Sequence, residues 1–214
     1  MKGNANSKQI KNKELTKEKL IWALGETIKL EGFNSLNGSK IARRAEVDRK
    51  LINRYFGGLN KLIERYVEKT DYWLIFLEDM NELLKSNEFP GSKELITSLL
   101  QNQFLYFFAQ KDMQRLILWE LTSKSETMKR THNAREMMGQ GLLELTDLHF
   151  KNSNVNFRAI GALIVGGIYY TILHTINNGG KFTDIDISTE PGRADITKAI
   201  AQIVDWAYLA AVDQ

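Results

Sequence analysis

The chain has 214 residues, two prolines, no cysteine and a formal net charge of +3. That length suits one large domain or two modest ones with a sizeable core. The lack of cysteine excludes disulfides and thiolate-held metals and leaves the redox compartment unread. The charge is uneven. Residues 1–60 carry 13 Lys and Arg against 6 Asp and Glu, whereas the remainder carries 16 against 20. A basic N-terminal end is the electrostatic footprint of phosphate contacts, with a merely soluble lysine-rich terminus as the bland alternative.

The first fifteen residues, MKGNANSKQIKNKEL, are polar and basic with no apolar run. They do not read as a secretory signal and are expected to form a flexible basic arm, with contact to DNA phosphates as the alternative to disorder alone. Thr16 is expected to cap the first helix, whose stripe is Leu20, Ile21, Leu24 and Ile28. After Gly32-Phe33 comes the stretch the chain is organised around, SLNGSKIARRAEVDRKLINRYF. Asn37 caps a short helix with Ile41, Ala42 and Ala45 on one stripe. Asp48 caps a second, Arg49 to Phe56, because a carboxylate accepts from free first-turn N–H groups. Ile52, Tyr55 and Phe56 share its apolar side, which leaves Arg49, Lys50, Asn53 and Arg54 mostly on the other. Such a helix suits a DNA major groove; an ordinary helical pair with a solvated basic face is the alternative.

The order of these features resembles the DNA-binding domain of TetR-family transcriptional regulators, from about Thr16 to Tyr66. Gly32-Phe33 matches the glycine-aromatic pair after the first helix. Ile41-Ala42 and Ala45-Glu46-Val47 match the I-A…A-G-V signature, and Arg54-Tyr55-Phe56 matches the end of the recognition helix. Glu46 stands where the family has its turn glycine, Asn53 where it has a tyrosine, and Leu59 where it has a lysine, with Lys61 two residues on. The resemblance implies an all-α fold. Residues 1–58 would form a three-helix DNA-binding domain with a helix-turn-helix, and 59–214 a helical ligand-binding and dimerisation domain.

Beyond Gly57-Gly58 a long fourth helix is expected from Leu59 to just before Pro90, with Leu62, Ile63, Tyr66, Val67, Trp73, Phe76, Leu77 and Met80 on its stripe. Ser92 is expected to cap the next helix, which carries Leu95, Leu99, Phe104 and Phe108. Asp112 is expected to cap another, with Leu116 and Trp119. A polar break at Ser123–Ser125 precedes a methionine-rich helix. Ala159 to Ile176 holds no Lys, Arg, Asp or Glu, near the lower limit for crossing a bilayer. A helix apolar on nearly all sides is more simply one buried in a bundle and a subunit interface. A loop from Asn177 to Ile187 leads to Thr189 and Pro191, which open the last helix.

His132, His149 and His174 lie on separate segments without metal-ligand spacing, and no nucleophile elbow or phosphate-binding glycine loop is present. Neither a catalytic residue, a metal nor a cofactor is expected. The residues expected at DNA are Asn37, Ser39, Lys40, Arg43, Arg49, Lys50, Asn53, Arg54, Tyr55 and Lys61, with Asn53 as the base reader, since an amide bonds adenine at two points. The resemblance further implies a ligand pocket, with Phe76, Phe104, Phe108, Trp119, His132, Met138, Tyr169 and His174 as candidates. It also implies a homodimer through the last two helices on a palindromic operator, a small apolar or amphipathic ligand that releases the DNA, and a cytoplasmic location. Two other classes fit some of the residues: a membrane-associated helical protein using 159–176, and a ligand-binding bundle with no part in DNA binding.

Overall fold

The computed structural model describes residues 2–76 and 91–212, with side chains from residue 10 onward and excepting that of Met138. The fold is all-α. The helices are α1 (Lys2–Glu31), α2 (Gly38–Arg44), α3 (Lys50–Phe56), α4 (Leu59–Thr70), α5 (Ser92–Ala109), α6 (Lys111–Thr122), α7 (Glu126–Phe150), α8 (Phe157–Asn178) and α9 (Glu190–Val212), with one 3-10 turn at Phe33–Ser35. Residues 72–76 are also helical. The chain packs as two compact units, residues 1–71 with 115–132, and residues 72–114 with 133–214.

In the first unit the expected stripes form the core. Leu20, Leu24 and Ile28 of α1, Ile41 of α2, Ile52 of α3 and Leu62 of α4 are all buried. Each such side chain contributes about 1.5–3 kcal/mol relative to exposure. Leu116, Ile117 and Met128, from the discontinuous segment 115–132, are buried in this unit as well. Trp22 faces outward, 59% exposed.

Two expectations fail in this unit. Thr16 caps nothing, since α1 begins at Lys2 and the Thr16 hydroxyl donates to Asn12 O inside the helix. From Asn4 to Leu15 no glycine or proline interrupts the chain. Once the packed part of α1 is formed, propagation therefore continues into the segment read as an arm. The fourth helix also stops early, at Thr70. Asp71 is extended (φ −77°, ψ 120°) and buried. Threonine back-bonding, seen in Thr70 Oγ1 donating to Tyr66 O, and an aspartate that favours caps over interiors account for the break. Leu77, Met80 and Pro90 lie outside the described residues.

In the second unit α5 is central, with Phe104 and Phe107 fully buried, and it packs against α8 and α9. Ser92 is not a cap: the helix is preceded by Gly91, and the Ser92 hydroxyl meets the Tyr208 hydroxyl at 3.0 Å. Gln101 Nε2 donates to Thr197 O at 2.9 Å, and Lys93 pairs with Asp205 at 3.0 Å. Phe150 stacks on Phe157, and Tyr208 meets both edge-on. Asn156 caps α8 by accepting from Ala159 N, and Thr189 accepts from Gly192 N at the start of α9. Helix α8 is long and apolar enough to cross a membrane, yet only 17% of its apolar window is buried within the chain. It packs by one wall only. Of the expected burial in a bundle and a subunit interface, the single chain supplies the bundle side.

Candidate nucleic-acid interface

The helix pair is set by short-range chemistry. Asn37 Oδ1 accepts from Lys40 N at 2.9 Å and starts α2. The chain then turns through Glu46, which sits in the left-handed region at φ +56°. Asp48 Oδ1 accepts from Lys50 N at 2.7 Å and starts α3. Gly57, at φ +82°, ends α3 with its N–H on Asn53 O, a conformation that costs glycine nothing.

Burial of Ile41, Ala42, Ala45 and Ile52 turns one side of the pair inward. Asn37, Ser39, Arg43, Arg49, Lys50, Asn53 and Arg54 are exposed, while Lys40 and Tyr55 are half-buried. The cations fall into two groups. Among the described residues Arg43, Arg49, Lys50 and Arg54 take part in no ion pair. Lys40 and Arg44 do, sharing the Glu31 carboxylate at 2.5 and 3.1 Å. The Lys40 hydrogen bond holds Glu31 below the usual carboxylate range. Lys61 is likewise tied to Glu64 at 2.6 Å. Burial pushes the Glu64 carboxyl up, but Lys61 and Arg130 outweigh it and the net shift is downward. Sequence reasoning missed both acids, because a partner on another helix has no fixed spacing.

Two further placements bear on the site. The Arg49 side chain reaches back over the start of α2, where a Cβ on Gly38 would lie 3.5 Å from Arg49 Nε. Asn53 Oδ1 lies beside the turn into α4, 3.9 Å from where a Gly58 Cβ would be.

The expected ligand residues divide between the two units. Trp119 and His132 belong to the first unit, where Trp119 stacks on Phe33 and His132 Nδ1 lies 3.6 Å from a Glu120 oxygen. In the second unit Phe104 is core, Phe108 lies under the Arg193 guanidinium, and His174 sits beside Tyr170 and Phe182. Phe76 stacks on Tyr72. Tyr169 packs edge-on to Phe107 at 4.8 Å and accepts from Trp73 Nε1 at 3.1 Å. The Met138 side chain lies outside the described residues. One residue that sequence reasoning passed over is Gln103. It is 1% exposed, and neither its amide nitrogen nor its oxygen has a hydrogen-bond partner among the described residues. A glutamine on the apolar stripe Ile96, Leu100, Phe107 was the signal.

No family model and no curated protein matches the sequence. Solved structures do match in fold. The transcriptional regulator FadR from Bacillus subtilis, in complex with stearoyl-CoA, aligns at TM-score 0.64 and 16% identity over 87% of this chain and 96% of that one. The fatty acid degradation regulator FadR from Bacillus halodurans aligns at TM-score 0.61 and 16% identity over 90% and 94%. At such identities the likeness is one of fold.

Proposed function

We propose that the chain is a sequence-specific, one-component transcriptional regulator of TetR type, which binds a palindromic operator as a homodimer and releases it on binding a small ligand. The observation that carries this reading is the set of unpaired, exposed cations Arg43, Arg49, Lys50 and Arg54 on the outer side of a capped helix pair. Cations already neutralised inside the protein add little to phosphate affinity, whereas free ones release counterions on contact. Lys40 and Lys61 are therefore the weaker members of the expected set, and Arg49 the stronger. Such a protein works in the cytoplasm, where its operator is.

The exposed apolar sides of α8 and α9 support the dimer. Leu163 and Tyr170 on one, and Trp206, Leu209 and Val212 on the other, are 59–78% exposed. Apolar surface on this scale marks an interaction site. A two-fold dimer also places two recognition helices about 34 Å apart, as a palindrome needs.

The ligand is proposed to be a long-chain acyl thioester, the class bound by the Bacillus subtilis neighbour. The aromatic cluster of Phe107, Trp73 and Tyr169, with the Gln103 amide on the same helix stripe as Phe107, combines the apolar and polar groups that an amphipathic molecule would need. Release can be no larger than the difference in ligand affinity between the free and DNA-bound states.

Binding of the purified protein to the intergenic DNA upstream of its own coding sequence, against a random duplex, tests the reading. Preference for the upstream DNA with a steep salt slope supports it. Equal affinity for both at every salt concentration refutes it.

A further inference from the structure

We propose that the N-terminal extension of α1, residues 2–15, is a second DNA-contact element that lies on backbone phosphates beside those met by α3. The inference rests on the DNA-binding reading above and deepens it.

Packing does not explain why this segment is helical. Residues 10–15 are all exposed, Ile10 and Leu15 among them at 57% and 54%. Its composition suits a polyanion, with four lysines and one glutamate between residues 2 and 15.

It continues α1 where that helix passes the end of α3. A groove between α1, the end of α3 and α4 is lined by Glu14, Lys17, Glu18, Tyr55 and Phe56 among others. Its acids are spoken for: Glu14 pairs with Lys17, Glu18 with Lys69, Glu64 with Lys61 and Arg130, and Glu68 with Arg65. Lys13 stands one turn before Lys17 and continues that edge of the groove-facing side of α1, while Lys11, one turn before Glu14, continues its opposite edge. Neither takes part in an ion pair among the described residues. Lys13 Nζ lies 5.9 Å from the Tyr55 ring centroid, and the Arg54 guanidinium lies 5.9 Å from the same centroid. One aromatic ring therefore carries a cation from the extension and a cation from the recognition helix. The two charges thus lie within about 12 Å of each other, a separation that neighbouring phosphates of one backbone can span.

From Lys2 to Glu14 the helix rises about 18 Å, roughly five phosphate steps of one strand measured along the duplex axis. Backbone contacts of this kind add affinity and salt dependence without adding sequence discrimination.

The test compares the full chain with Lys11→Ala/Lys13→Ala and with Lys11→Arg/Lys13→Arg. Each is titrated with a random 40-base-pair duplex and with the upstream duplex at several salt concentrations. Alanine favours helix, so the extension keeps its fold, and circular dichroism verifies this. The alanine pair should lower the salt slope by about two and weaken both duplexes by the same factor. The arginine pair should restore the slope. An unchanged slope in the alanine pair overturns the proposal, even if the same lysines prove to govern binding to anionic vesicles. Loss of preference for upstream DNA in the wild type with the slope difference intact would instead refute only the operator reading. Salt-independent binding by the wild type would end both.

Discussion

The indole of Trp119 lies face to face on the ring of Phe33, with centroids 4.1 Å apart and planes 5° from parallel. Phe33 occupies the single 3-10 turn between α1 and α2, and Trp119 belongs to α6. The Arg130–Glu64 ion pair joins α7 to α4 in the same unit. The link that leads into the helix pair is thus held by a residue far along the chain. Stacked aromatic pairs are worth about 0.5–1.5 kcal/mol beyond the area they bury. A double-mutant cycle of Phe33→Ala and Trp119→Ala in urea should give a coupling of about 1 kcal/mol. Additive effects would mean that the stack carries no energy of its own.

Under the DNA-binding reading proposed above, Glu31 would compete with phosphate for two cations. It holds Lys40 and Arg44, and its carboxyl sits below the ordinary value of 4.5 chiefly through the Lys40 hydrogen bond. A depressed folded value means that the pair stabilises the fold above pH 4.5 and that this contribution fades as pH falls through the folded value. At neutral pH the two cations are withheld. Glu31→Gln should release them and steepen the salt slope of DNA binding by roughly one to two. A slope equal to wild type would show that Lys40 and Arg44 lie out of reach of phosphate.

Glu46 bears a side chain at φ +56° in the turn between α2 and α3. The left-handed region costs an L-residue roughly 1–2 kcal/mol, and glycine avoids this at an entropic cost of about half as much. Glu46→Gly should therefore raise stability by about 0.5–1 kcal/mol, read as a higher urea midpoint at unchanged slope. The exposed Glu46 carboxylate makes no hydrogen bond among the described residues that the change would remove. Destabilisation would show that the turn is held by something other than its dihedral angles.

Local chemistry was readable from the residues. Asn37 and Asp48 start helices through their own side chains, and the stripes Leu20–Leu24–Ile28 and Leu62–Ile63–Tyr66 are buried as their spacing implies. What failed depends on partners distant in sequence. Ser92 looked like a cap until Tyr208 took its hydroxyl, and the stack of Trp119 on Phe33 follows from no spacing in the sequence. The start of α1 was misplaced for another reason. Thr16 has a cap's chemistry, but nothing before it stops the helix. Glu31 shows the limit most clearly, since α1 ends on it and α2 supplies both of its partners.

Helices α8 and α9 leave Leu163 78% and Trp206 59% exposed. Under a dimer these side chains are covered, and a carboxylate placed among them meets an apolar partner surface at high desolvation cost. Leu163→Glu/Trp206→Glu should sediment as a monomer at concentrations where the wild type is a dimer, with helicity retained. The monomer should also lose operator affinity by more than tenfold, because one half-site contact replaces two. A variant that remains dimeric would move the interface elsewhere.

Gln103 offers a test of the ligand site that reads in both directions. Its amide is 1% exposed and without a partner, on a helix whose neighbouring turns carry Leu100 and Phe107. A buried unsatisfied polar group costs about 1–3 kcal/mol, and leucine has nearly the same volume. Gln103→Leu should therefore stabilise the ligand-free protein by about that amount. If the amide exists to meet a polar group of a bound acyl thioester, the same change should weaken stearoyl-CoA binding by about tenfold, measured by isothermal titration. Stabilisation without loss of binding would place the ligand away from α5. Destabilisation would mean that the amide already has a role inside the fold.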